Sequence, residues 1–492
     1  TTEIYTLSLH DALPISAKLR QKTPIDQSEA FIRWRVEPSD NSLSCNTWQD
    51  ASLAQAWAAY DKARHEDVQL CYVSGQLAGY AAKHPARIRN GADKAKLLSS
   101  NDTECFTFRG RFATGGQAFS VGYETSQKAH NALRWILSRQ GYRRDGAAIV
   151  AWERDMRSLP PIFAATDELA GFFDDKDEPQ LPKTGADFSR RLAAALAGYR
   201  CDLDIASKVD ILGLDSALEG KGRLAVTLLR IVDGPGFLDR IESWHRTASW
   251  KMRLYREKQS YTCISAPAPR DIALYALGHE RNGKFVEADE KLLRVTVERL
   301  LPCIVDGRPL PTDLVSALVA KTSSPTAFKA VGNWEKTKAI TCAMIRKQLN
   351  DRCNLGKPLN SYEEVWTMAL NESCRDRSYL FGRLLAVADR AEFRTYKRDD
   401  TRPTNARRYM KVFSTRPART WGRLYQAISP YLTRLTVQER LRYQNLLREI
   451  TNLFQEGDYS DQPLDSRYIL GFECQAQALW LTNDKEGETT ND

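Results

Sequence analysis

The residues best suited to chemistry here are cations interleaved with aromatics. ARRYMKVFSTRPARTWGRLY (Ala406 to Tyr425) sets Arg407, Arg408, Lys411, Arg416, Arg419 and Arg423 among Tyr409, Phe413 and Trp421. Cationic groups can neutralise phosphates, and aromatic rings can stack on bases, a pairing suited to single strands or a hybrid duplex. From Arg375 to Arg448 there are 18 Lys and Arg against 6 Asp and Glu, a local excess larger than the whole chain's +9. The competing reading is a helical bundle whose arginines solvate the outside, and in either case the aromatics are expected in the core.

A second basic stretch, AAKHPARIRNGADKAKLL (Ala81 to Leu98), gathers Lys83, Arg87, Arg89, Lys94 and Lys96 in a segment punctuated by Gly and Pro. It precedes CFTFRGRF (Cys105 to Phe112), where alternation puts Phe106, Phe108 and Phe112 on one face and Arg109 and Arg111 on the other. The expectation is a phosphate-tracking loop beside an exposed strand, with Lys94, Lys96, Arg109 and Arg111 as contacts; a solvated basic loop is the plainer alternative. Gln117, after the Gly115-Gly116 turn signal, is a further candidate for touching bases.

Catalytic and metal-binding patterns fail on inspection. LEGKGR (Leu218 to Arg223) has Asp215 where a phosphate-binding loop needs its first glycine and Gly222 where it needs Ser or Thr. GHERN (Gly278 to Asn282) lacks a second His, His84, His130 and His245 have no partner at useful spacing, and Asp399-Asp400 stands alone in a charged stretch. His10-Asp11 lacks further ligands. Ten cysteines with no C-x-x-C signal neither a disulfide framework nor zinc, so no cofactor or metal is expected and a reducing cytoplasm fits best.

These residues need a frame. At 492 residues, 42% hydrophobic and 27% charged, the chain has the composition of a globular protein of two to four domains. It has no apolar run near the ~18 residues of a membrane span. VQLCYV (Val68 to Val73), AAIVAW (Ala147 to Trp152), KVDILGL (Lys208 to Leu214) and RLAVTLLRIV (Arg223 to Val232) read as strands. DFSRRLAAALAGY (Asp187 to Tyr199) and FLDRIESWHRTASW (Phe237 to Trp250) read as helices, as does a segment capped by Thr125 or Ser126. From about Arg270, helical spacing dominates, as in Trp421, Leu424, Ile428 and Leu432. The fold class is therefore α+β, a mixed N-terminal portion followed by a mainly helical C-terminal bundle.

The expected divisions are a leader at 1–16, a mixed α/β strand-binding portion at 17–155 and a connector with a small α+β unit at 156–270. A helical region at 271–367 and a C-terminal bundle at 368–492 complete the chain. TTEIYTLSLHDALPIS (Thr1 to Ser16) resembles translated adapter read-through and is read as a non-native, disordered leader.

Several segments in series, CYVSGQ (Cys71 to Gln76), SVGYETSQKAHNALRWIL (Ser120 to Leu137) and SYLFGRLLAVADRAE (Ser378 to Glu392), resemble the large subunit of the type I-C CRISPR Cascade. VDILGL with GRLAVTLLR, NARRYMKVFSTRPARTW (Asn405 to Trp421) and YILGFECQAQAL (Tyr468 to Leu479) extend the likeness. The resemblance implies a non-catalytic subunit working with CRISPR RNA, target DNA, and backbone, foot and small subunits. Its tasks would be to help find the flanking motif, open the duplex, hold the displaced strand and present the complex to a helicase-nuclease in a prokaryotic cytoplasm. It also implies that the family's N-terminal portion is missing here, and that the C-terminal helical part is also made as a separate small subunit from an internal start, for which Met368 is the natural candidate. A nuclease or helicase accessory enzyme, and a scaffold without nucleic-acid contact, are the alternatives.

Overall fold

A computed structural model of the chain describes residues 33–36, 45–65, 67–99, 112–144, 147–174, 181–216, 222–256, 259–357, 361–397 and 400–488. The segment 1–16, Arg109, Arg111, Gly220, Lys221 and Asp399 lie outside them. The described residues fall into two compact units, one from Thr1–Pro85 with Leu98–Asn131 and one from Ala86–Leu97 with Ala132–Asp492.

The first unit is built of short pieces. β1 (Arg35–Val36) pairs antiparallel with β2 (Cys45–Asn46), and α1 (Ala51–Ala63) starts where the Asp50 carboxylate accepts the amides of Ser52 and Leu53. β3 (Val68–Leu70) and β4 (Leu77–Gly79) form a hairpin, so the expected strand at 68–73 is cut short after Leu70 by a turn through Gly75 at φ +69°. α2 (Gly115–Ala118) follows, and then α3 (Tyr123–Gln140), which begins ahead of the expected Thr125 or Ser126 cap. Ser126 instead turns inward, its Oγ 2.8 Å from Nδ1 of buried His84 and 3.4 Å from Nδ1 of buried His130.

The second unit opens on an antiparallel sheet. β5 (Tyr142–Arg144), β6 (Ala147–Glu153), β7 (Lys208–Asp215) and β8 (Ala225–Asp233) lie in that order, with α4 (Thr166–Leu169) and α5 (Gly185–Asp202) between β6 and β7. Alternation along the strands sends Ile149, Ala151, Val209 and Ile211 into the main core. Ala148, Val150 and Leu214 go to a smaller core with Ile88, Ala95, Ile136 and Leu137. α6 (Gly234–Thr247), capped by Asp233, lays Phe237, Leu238, Ile241 and Trp244 on the main-core side.

α6 stops short of Trp250. The Thr247 hydroxyl donates to the Ser243 carbonyl, that of Ser249 to the Arg246 carbonyl, and fully buried Trp250 begins a hairpin of β9 (Trp250–Arg256) and β10 (Gln259–Ser265). Then come α7 (Pro269–Leu277), a small hairpin of β11 (His279–Arg281) and β12 (Phe285–Glu287), α8 (Glu290–Val305) and α9 (Thr312–Thr322). α10 (Val331–Cys353), α11 (Arg377–Phe393), α12 (Asn405–Thr415), α13 (Pro417–Leu432), α14 (Val437–Asn452) and α15 (Arg467–Glu488) make the bundle. Among the described residues no helix is long and apolar enough to cross a membrane.

α11 is buried continuously from Ser378 to Glu392, with α15 packed against it at a crossing made by two glycines. A Cβ on Gly382 would strike the Tyr468 carbonyl, and one on Gly471 would strike the Tyr379 carbonyl. Only backbone can occupy that crossing. Gly382→Ala is therefore expected to cost about 1 to 3 kcal/mol or more, seen as a lower urea midpoint at unchanged m-value.

Candidate nucleic-acid interface

The basic segment forms a helical hairpin with a single residue, Arg416, between α12 and α13. The Thr404 hydroxyl accepts the Arg407 amide to start α12, and Ala406, Met410 and Phe413 make its buried face. On α13, Pro417, Thr420, Trp421, Leu424, Ile428 and Leu432 are buried. Phe413 and Trp421 are thus core residues, as expected, while Tyr425 is 42% exposed.

The cations divide into two groups. Arg407 is held inward: its Nε lies 3.1 Å from Asp389, its guanidinium 3.9 Å from Glu335 and 4.8 Å over the Trp334 ring. Expected at a phosphate, it is placed instead in an internal ion pair whose carboxylates belong to α10 and α11. Arg408 and Lys411 are exposed on α12 with no ion-pair partner among the described residues. Arg416, Arg419 and Arg423 follow a three-then-four spacing and are all exposed, opposite the buried face of α13. Among the described residues Arg419 alone of these has an ion-pair partner, its Nε 3.6 Å from Asp461 with the side chain 65% exposed, a weak tether. Arg434, which the sequence reading passed over, is exposed beside Tyr431 at 5.4 Å.

In the second basic stretch, Arg89 points inward. Its guanidinium makes two hydrogen bonds to Asp93, at 2.8 and 3.2 Å, and lies 4.0 Å from Asp215. Burial pushes the Asp93 carboxyl up, but Arg89 outweighs it and holds the group below the usual carboxylate range. The Lys96 amide donates to the Gly222 carbonyl and the Lys96 carbonyl accepts from Leu224, which pins the segment and leaves Lys94 exposed and Lys96 half-buried. Gln117 belongs to the other unit. Its Oε1 accepts the amides of Ala113 and Thr114 in a capping box, so only its amide nitrogen remains for a base.

His245 is buried with Nδ1 2.9 Å from the Thr166 hydroxyl, and burial pushes its imidazole down to about 4. His279 of GHERN lies 3.6 Å from Glu287 across its own hairpin. Among the described residues no group of three or more His, Cys, Asp or Glu is placed to hold a metal ion.

A mixed α+β protein whose helical half turns a row of cations to solvent, most of them without an ion-pair partner among the described residues, is the class of molecule these features define. A family model described as CRISPR-associated protein (Cas_Csd1) matches residues 9–480, and the chain belongs to that family. That membership fits a Cascade component and its large subunit; the match includes residues 9–16 of the segment read as a leader. Comparison with curated proteins gives no match.

Two outcomes follow from this electrostatics. Arg407→Ala leaves Asp389 without its cation, while Glu335 keeps Lys338 at 2.8 Å, and should destabilise the fold by about 3 kcal/mol, with no change in the salt dependence of any polyanion binding. The second concerns Glu298 on α8, near Asp215 and Arg294, where burial first and Asp215 second push its carboxyl up to about 7. An acid whose folded pKa is raised stays protonated where the unfolded chain has ionised. Stability should therefore fall as pH rises from about 4.5 to about 7 and level off above, and Glu298→Gln should flatten that slope in melts across the range.

Proposed function

We propose that this chain is a non-catalytic, nucleic-acid-binding large subunit of a type I-C CRISPR interference complex. In this reading it aids flanking-motif recognition, R-loop formation and retention of the displaced strand. Its partners are CRISPR RNA, target DNA, the backbone, foot and small subunits, and a helicase-nuclease recruited once the duplex is open. Base pairing supplies sequence specificity in such an assembly, so the protein's share is charge, shape and motif reading. The helices beyond Met368, which carry the basic hairpin, are the part read as small-subunit-like.

The observation that carries the proposal is the exposed row Arg408, Lys411, Arg416, Arg419 and Arg423, of which four have no ion-pair partner among the described residues. Cations kept unpaired on a rigid hairpin are arranged for an external anion, because a solvating surface would equally tolerate neighbouring carboxylates. Lys94 and Lys96, and Arg109 and Arg111 outside the described residues, are proposed as further phosphate contacts, and Gln117 as a base contact through its amide. Arg407 is left to its ion pair.

Charge removal should act through counterion release. The triple variant Arg408→Gln/Arg416→Gln/Arg423→Gln is expected to bind duplex DNA more weakly and to lower the magnitude of the log K against log salt slope by about 0.9 per lost contact. Unchanged affinity and slope in a folded triple variant would favour a scaffold without direct contact.

A further inference from the structure

Two hollows lie end to end across the start of α9. One, of about 440 Å3, is walled by α9, the end of α10 and the last turn of α12. The other, of about 370 Å3, is walled by α6, the connection from α8 to α9 and the end of α10. Thr312, Gln348 and Arg352 line both, so the two hollows adjoin, and together they are called the groove.

The lining chemistry is one-sided. In the first hollow the charged residues are Arg352 and Lys411, the rest of its polar wall is mostly hydroxyl-bearing, and no carboxylate lines it. The second contains one carboxylate, Asp351, already engaged by Lys347 at 3.1 Å and the Tyr362 hydroxyl at 3.2 Å. Asp313, one residue past Thr312, is likewise held by Arg299 at 2.6 Å. Arg240, Arg352 and Lys411 are exposed and have no ion-pair partner among the described residues.

The backbone supports the same reading. Gly307, at φ +66°, leaves room for the Arg240 guanidinium, which any Cβ there would strike.

We propose that the sugar-phosphate backbone of a single-stranded nucleic acid runs along this groove, with Arg240, Arg352 and Lys411 each neutralising a phosphate. The hydroxyls of Thr312 and Ser316 donate to phosphate oxygens between them. The groove deepens the reading of the chain as a nucleic-acid-binding subunit and rests on it: Lys411 belongs to both surfaces and hands a strand from the outer face of α12 to the start of α9. Hollows of this size are those of small-ligand sites. They admit one extended chain and exclude a duplex, whose convex surface would touch only the rim.

The test uses the full chain, a labelled oligothymidylate and anisotropy across a salt series. Arg240→Gln/Arg352→Gln is expected to lower the magnitude of the salt slope by about 0.7 per lost contact. Ser316→Glu, which places a carboxylate on the groove wall, is expected to weaken binding while the thermal melt stays at the wild-type temperature. The hairpin triple variant is measured alongside. Wild-type affinity and slope for both groove variants, with a reduced slope for the hairpin variant, overturn the groove and leave the hairpin reading standing. The reverse pattern keeps the groove and removes the hairpin, and no change in any variant removes both. If the double variant fails to fold, Ser316→Glu alone decides: weakened binding upholds the groove and wild-type binding overturns it.

Discussion

The crossing of α11 and α15 sets how every other helix of the bundle can lie. With glycine at 382 and at 471, each helix presents bare backbone to the other, and side chains on both sides of the contact close around it. α11 is then enclosed along most of its length, so its polar residues must find partners inside the protein. Asp389 takes the Thr404 hydroxyl and the Arg407 guanidinium, and Glu392 accepts the Asn405 amide at 2.8 Å. Both interactions fix the start of α12. The direction of the basic hairpin is thus set by carboxylates buried on the helix beneath it.

α10 meets the same constraint from the other side. Lys338 is buried between Glu335 at 2.8 Å and Glu473 at 2.7 Å, over the rings of Trp334 and Phe472. Burial alone would raise the Glu473 carboxyl, and Lys338 outweighs it, holding the group ionised. Glu335 and Trp334 also face Arg407, so α10, α12 and α15 share one buried network of charge and aromatic surface. Such networks add little net stability compared with an apolar core but penalise any packing that separates the partners. The benefit is a unique arrangement of helices, which a surface made of positioned cations requires.

Much of the frame was legible in the sequence, because period-two strands and capped helices signal themselves locally. β6, β7, β8, α5 and the helical C-terminal half lie close to where spacing put them. The hairpin of β9 and β10 was not, since SWHRTASW continues a helical pattern and only the pairing of Trp250 with Ser265 across the hairpin shows that the chain has turned. The basic residues were found, but not which way each points. Arg89 has its carboxylate four residues away, a spacing visible in the sequence, whereas Asp389 and Glu335 reach Arg407 from other helices. Arg240 and Arg352 gave no signal as isolated arginines, and only the packing of α6 and α10 around α9 brings them to one groove.

The partition of cations is itself the functional argument. Arginines inside the bundle, such as Arg346 and Arg407, meet carboxylates or carbonyls in a low-dielectric setting where an unmatched charge would be costly. Those on the outer faces of α12 and α13 cost almost nothing unpaired, because water solvates them, and so remain available for an external anion. On the proposed function, such a surface meets phosphates through charge density without regard to base sequence, and sequence reading falls to a guide RNA.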